Sequence, residues 1–248
     1  MTPLINAYNL ILYQPLFNIL VLLYKYLPGH DFGIAVIVLT AVIRLALYPL
    51  MAQSIKSQKI LSELQPKIQE IQQKHKTEKE KQAQEIFELY KKEKINPFGS
   101  FLPLLIQLPV LIALYQVFWK GLLPESMVKL YSFISSPGLI NPTFLGIINL
   151  GQGSLILAIL AGVCQFFQTK MMTPKLKNTK SQDQMGQFSN MLQKQMLYFF
   201  PIFTVFILWK FPAAIALYWI VTSLFSIGQQ YLIFKPRTET SLGTGQET

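Results

Sequence analysis

A chain of 248 residues has the length of one large soluble domain, yet 51% of it is apolar, 13% aromatic and only 14% charged. Soluble domains carry about a quarter Asp, Glu, Lys and Arg. The formal net charge of +10 is unevenly spread, with ten of the 22 basic and seven of the 12 acidic residues between positions 52 and 97. Long apolar runs separated by charged loops mark an all-α polytopic membrane protein. They exclude a soluble enzyme, a disulfide scaffold and a disordered chain. Transmembrane strands would show only alternating segments of about 10 residues. The lysines lie between the apolar runs, so the basic excess reads as topology and no nucleic-acid specificity is expected. The single cysteine, Cys164, precludes an intrachain disulfide. His30 and His75 sit in separate loops, and neither a metal nor any other cofactor is expected. No Gly-rich phosphate loop occurs.

In chain order, residues 1–32 form an N-terminal unit. Its apolar part, 4–27, is interrupted by Asn6, Asn9, Gln14, Pro15 and Asn18. From Pro15 onward, Leu16, Ile19, Leu20, Leu23 and Leu27 recur at helical spacing, with Asn18 and Lys25 off the stripe. This predicts an amphipathic helix over 15–27 lying in the membrane interface; the alternative is that 4–27 spans the bilayer. The missing basic n-region argues against a cleaved signal peptide. Pro28-Gly29-His30-Asp31 is a turn. The first span is expected over 33–53, about 30 Å long at 1.5 Å per residue.

Residues 54–95 change character. Leu61, Leu64, Ile68 and Ile71 form one stripe; Ala83, Ile86, Phe87 and Tyr90 form another, with His75-Lys76-Thr77 between them. The pattern predicts an amphipathic helical hairpin standing in water. Further spans are expected over 98–119, 153–172, 195–209 and 213–234. The loops are 120–152 and 173–194, and a disordered tail covers 235–248. The hairpin, the 170–194 region and the tail carry seventeen basic residues; Lys25, Lys120, Lys129 and Lys210 make four on the other side. The excess places the hairpin and the C-terminus in the cytoplasm.

Only two of the basic residues are arginines: Arg237 in the tail, and Arg44 near the middle of the first expected span. A charge at the bilayer centre costs about 2.5–3.5 kcal/mol on insertion scales. No expected span contains Asp or Glu. Arg44 therefore implies a polar, water-holding groove whose anion comes from outside the protein: a lipid phosphate, an anionic solute or a carboxylate on a transported chain. The bland reading is a side chain that snorkels to a headgroup or bonds backbone carbonyls. Thr40, one turn before Arg44, can line the groove, as can Gln107, Gln165, Gln168, Thr204, Tyr218, Trp219, Thr222, Ser223 and Ser226 on other spans. Each alone reads equally as interhelical glue. Met171, Met172, Met185, Met191 and Met196 cluster around the second basic loop, where they fill gaps at helix ends or adapt to varied apolar partners. The hairpin is either a solvated face or a docking arm for a cytoplasmic partner.

Six segments resemble the YidC/Oxa/Alb family of membrane protein insertases. They are YQPLFNIL before the first span, TAVIRLALYPL around Arg44, and LQPKIQEIQQKH in the hairpin. ELYKKEKINPFGSFLPLLIQLPVLIALY leads into the second span and FFQTKMM closes the third. FFPIFTVFILWKFPAAIALYWIVTSLFSIGQQYLI runs through the last two. Their order and spacing cover roughly residues 12–234. The resemblance implies five transmembrane helices around a hydrophilic groove open to cytoplasm and lipid, with an N-terminal interfacial helix and a cytoplasmic hairpin. It puts Arg44, Thr40, Gln107, Gln168 and Trp219 at groove positions; Gln165, Tyr218 and Thr222 follow from their helix faces. It implies nascent membrane proteins and the lipid bilayer as partners, with the Sec translocon, the signal-recognition-particle receptor and the ribosome reached through the hairpin. Neither the large extracytoplasmic domain of Gram-negative relatives nor a lipoprotein-type signal is expected. The tail has no net charge, which puts a ribosome contact of the long-tailed kind in doubt. A bacterial plasma membrane is the expected location. An anion or solute transporter and a lipid scramblase are the rival functions of such a groove. An intramembrane enzyme is not expected, because no Ser/His, paired-Asp or metal constellation lies in the spans.

Overall fold

The computed structural model describes residues 3–94, 102–173, 191 and 195–234. The expected tail, most of the 173–194 loop (Met185 included) and the first residues of the 98–119 span lie outside them. The described chain is predominantly helical.

The N-terminal helix begins well before Pro15. α1 (Pro3–Tyr8) passes through a π-helical segment (Asn9–Tyr13) into α2 (Gln14–Tyr26), with helical backbone angles at both joints. Proline in a regular helix presses on the carbonyl four residues back, here that of Ile11. The wider π turn around Ile11 accommodates the ring, so Pro15 does not break the helix. An amphipathic helix confined to 15–27 is thus corrected to a longer one. By length and composition, Ile5–Tyr26 can cross a membrane. Asn18, off the apolar stripe, is nevertheless buried at 1% exposure. Its amide donates to the Lys129 carbonyl (3.1 Å) and accepts from the Tyr131 N–H (2.7 Å), tying α2 to the loop after α6.

The expected straight span over 33–53 is broken. α3 (Phe32–Ala46) and α4 (Tyr48–Lys74) meet at Leu47 with a bend of 68°. Pro49 explains the position: in a continued helix its ring would meet the Leu45 carbonyl, whereas in the first turn of a new helix it needs no N–H partner. Asp31 caps α3 by accepting from Ile34 N–H at 2.8 Å.

α4 runs straight on into the first arm of the hairpin, and α5 (Lys79–Lys92) returns antiparallel to it. Leu64 and Ile68 are buried between the arms. Lys67–Glu93 (3.3 Å), Lys74–Glu85 (3.1 Å) and His75–Glu85 (2.8 Å) bridge them. Of the second expected stripe, Ile86 and Tyr90 are half-buried, but Ala83 and Phe87 face outward.

α6 (Leu102–Lys120) carries Pro109 inside it. α7 (Leu155–Met172), α8 (Phe200–Lys210, entered from a π-helical Gln195–Phe199) and α9 (Ala213–Phe234) complete the bundle. α9 packs against α7, α3 and α4. Among the described residues, Ile5–Tyr26, Leu155–Met172 and Ala213–Phe234 are each long and apolar enough to cross a membrane. The bent α3–α4 pair makes a fourth, while Leu105–Lys120 and Leu197–Lys210 are shorter apolar helices.

The 120–152 loop is more ordered than its composition suggests, and it departs from a purely α fold. It holds a 3₁₀ turn (Pro124–Lys129) and a two-residue antiparallel ladder pairing Thr143 with Asn149 and Phe144 with Ile148. The carbonyls of Gln152 and Leu150 accept from Ala213 N–H (2.8 Å) and Ala214 N–H (3.1 Å), satisfying orphan donors at the start of α9. Phe144 packs closely against Gly33 of α3, where an added Cβ would stand 2.1 Å from the ring.

Two outcomes follow for this scaffold. Gly33→Ala is expected to lower the thermal midpoint in detergent, at a cost of about 1–3 kcal/mol from overpacking, and Phe144→Ala in the same chain to recover part of it. In the hairpin, a hydrogen bond from Lys74, with His75 adding to it, holds the Glu85 carboxyl below its usual value. A lowered folded value means the contact contributes above the ordinary carboxylate range and is lost as pH falls through the depressed value. Hydrogen-exchange protection at the tip should therefore persist to pH values below that range, and Glu85→Gln should weaken it already at neutral pH. Identical profiles for the two proteins would exclude Glu85 as the clasp.

Candidate functional site

A cavity of about 350 Å³ opens between α3, α4, α6, α7 and α9. Its wall is polar in a way that no single helix announces. α3 supplies Arg44; α4 supplies Met51, Ile55 and Gln58; α6 supplies Gln107. α7 supplies Gln165, Gln168 and Thr169, and α9 supplies Trp219, Thr222, Ser223, Ser226, Gln229 and Gln230. None of these residues is acidic. The α9 set recurs at steps of three and four, which is one helix face.

Arg44 is 5% exposed. Because the first span breaks at Leu47, Arg44 lies in the last turn of α3 rather than at the middle of a straight span. A cation there is favoured by the helix dipole. Its Nη2 donates to the Thr222 carbonyl at 3.1 Å and to the Ser226 hydroxyl, and Ser226 in turn donates to the same Thr222 carbonyl at 3.0 Å. Arg44 Nε, Thr222 Oγ1, Gln229 Oε1 and Nε2, and Gln230 Oε1 are buried without a partner among the described residues. Buried polar groups left unpaired cost on the order of 1–3 kcal/mol each. Five at one cavity mark a space suited to water or to a polar guest.

The expected site residues divide cleanly. Arg44, Gln107, Gln165, Gln168, Trp219, Thr222, Ser223 and Ser226 come together on the cavity wall. Two pairs are tied across helices: Gln107 Nε2 donates to the Tyr218 hydroxyl, and Trp219 Nε1 donates to Gln165 Oε1 at 3.0 Å. Tyr218 itself is 1% exposed and stands behind the wall. Thr40 is also 1% exposed, and its hydroxyl returns to the Val36 carbonyl of its own helix at 2.6 Å. It does not line the cavity, because the face it shares with Arg44 turns inward one turn earlier. Thr204 is likewise buried away from it. Gln58, Thr169, Gln229 and Gln230 were not singled out from the sequence. The last two continue the 219–222–223–226 stripe and were legible in it. Gln58 was not, because only the bend at Leu47 brings the hairpin arm to the cavity.

Against known sequences, the model of the family described as 60Kd inner membrane protein matches residues 22–240. The chain is 35% identical to a membrane protein insertase YidC of Clostridium tetani, over 84% of each protein. It is 34% identical to the Fusobacterium nucleatum YidC, over 83% of this chain and 87% of that one. The chain belongs to the YidC family of membrane protein insertases. It is a multi-pass protein of the bacterial plasma membrane, and nascent membrane proteins are its substrates. Among longer relatives, the Azotobacter vinelandii YidC is 37% identical over 89% of this chain but only 35% of its own length.

The cross-helix bonds predict a measurable coupling. In a double-mutant cycle of Gln107→Leu and Tyr218→Phe, a pair of this kind in a membrane bundle should couple by about 0.6 kcal/mol. Additive losses in the thermal midpoint would mean the two side chains stabilise the bundle independently.

Proposed function

We propose that the insertase passes the polar flank of an incoming chain through this cavity while the flank's neighbouring apolar segment partitions into lipid. Arg44 attracts acidic residues in the flank; Gln107, Gln165, Gln168, Trp219 and Thr222 offer neutral hydrogen-bonding partners along the path. The observation that carries the reading is a buried guanidinium facing a cavity with no carboxylate among the described residues of its wall. Transfer of about 20 apolar residues out of water, at roughly 25 cal/mol per Å², supplies the driving force. The protein lowers the barrier for the flank and makes or breaks no covalent bond.

In this reading α3, α6, α7, α8 and α9 cross the membrane, and the hairpin and C-terminus face the cytoplasm, as the seventeen-to-four split of basic residues favours. The short or bent helices thin the bilayer locally and shorten the polar path. The hairpin, with Phe87 exposed on α5, is the docking arm for the Sec translocon, the signal-recognition-particle receptor or the ribosome.

Reconstitution tests the electrostatic role. Into liposomes holding only this protein, wild type should insert a single-span substrate with an acidic N-tail, scored by protease protection. Arg44→Ala should slow that insertion about tenfold, and Arg44→Lys should largely preserve it, the scale being one charge-assisted hydrogen bond. Equal rates for wild type and Arg44→Ala would remove Arg44 from the path.

A further inference from the structure

A guanidinium grips a carboxylate most firmly with two parallel N–H bonds, either from Nε and Nη2 or from the two Nη groups. Both arrangements need a hydrogen on Nη2. In Arg44, Nη2 carries two hydrogens and already makes two bonds, one to the Thr222 carbonyl and one to Ser226 Oγ. Nε and Nη1 donate to no described residue. We propose that Ser226, together with the Thr222 carbonyl, occupies Nη2 of Arg44 so that a carboxylate crossing the cavity is met at a single point and released, instead of being held in a two-point grip.

The inference rests on the reading that acidic flanks meet Arg44, and it adds how strongly they are held. A conduit must attract its cargo without storing it. Ser226 is placed for that task. It is 5% exposed, it lies on the cavity wall one helical turn beyond Thr222, and its own proton is directed to the Thr222 carbonyl. Its oxygen is thus left to accept from Arg44. Thr222 contributes only a backbone oxygen to the clamp, which no side-chain change removes. Ser226 is therefore the replaceable half. The same geometry accords with the expected outcome for Arg44→Lys: if the fork is not used, a point charge suffices.

The test measures binding and release with the full chain in nanodiscs. The probe is a fluorescent single-span peptide with a tail of aspartates, beside a counterpart whose tail is asparagine. Ser226→Ala frees one Nη2 hydrogen and should tighten binding of the aspartate peptide about tenfold, the scale of one added charge-assisted bond. Its dissociation should slow, and binding of the asparagine peptide should not change. Ser226→Thr keeps the hydroxyl and should behave as wild type. In an Arg44→Lys background, which has no fork, Ser226→Ala should change neither peptide. Unchanged or weaker aspartate binding by Ser226→Ala would overturn the proposal, as would equal tightening in the lysine background. If Ser226→Ala also lost the asparagine peptide, Ser226→Cys, a weak acceptor of similar volume, replaces it; the same loss there would assign Ser226 to the fold alone and overturn the proposal. Failure of the underlying reading looks different: Arg44→Ala would then retain wild-type preference for the aspartate tail.

Discussion

The structure is organised around the cost of keeping one guanidinium out of bulk water where no described residue offers it a carboxylate. A buried charge must be paired or hydrogen-bonded. Arg44 gets its bonds from α9, through the Thr222 carbonyl and the Ser226 hydroxyl, and its remaining donors face a wall of amides and hydroxyls. A helix carbonyl already accepting within its own ladder has a second lone pair, so α9 can serve the arginine without losing its helical bonds. This places strict demands on α9. It must lie close to α3, present small side chains there, and turn a continuous polar face toward the cavity. Ser223 and Ser226 meet the second demand, and the run from Trp219 to Gln230 meets the third.

The bend at Leu47 is the other constraint on the site. It ends α3 just after Arg44, so the cation sits at a helix C-terminus where the dipole favours it. It also swings α4 so that Met51, Ile55 and Gln58 close one side of the cavity before the helix continues into the hairpin. The hairpin and the cavity therefore share one continuous helix. Anything that docks on α5 acts on a helix whose first turns line the site. Lys59, whose ammonium lies 5.3 Å from the Phe234 ring centroid, adds a contact between that helix and the end of α9.

Much of this was legible in the residues alone. The apolar runs, the charged hairpin and the lone intramembrane arginine are facts of composition and order, and they suffice for the class of protein. Eight of the eleven anticipated site residues reach the cavity because each is a polar side chain on an apolar helix, which is costly unless the helices turn such groups toward one another. Thr40 misled because helical spacing places it on Arg44's face but says nothing of where that face meets a neighbour. Tyr218 misled less, since it braces the wall through Gln107. Prolines were the other source of error. Pro15 read as a break and is absorbed by a π turn, whereas Pro49, which falls inside the expected 33–53 span, starts a new helix.

By itself, then, the sequence determined that this is a helical membrane protein, where its apolar helices fall, and that an unpaired arginine needs a polar surrounding. Those properties depend on local pattern and on the energetics of transfer into lipid, which act residue by residue. Only the tertiary structure decided which polar groups form that surrounding, which nitrogen of Arg44 is already engaged, and that Gln58 of the hairpin arm belongs to the cavity. These depend on the 68° bend and on contacts such as Arg44 with Thr222, 178 positions apart in the chain, and neither is encoded in the period of any single helix.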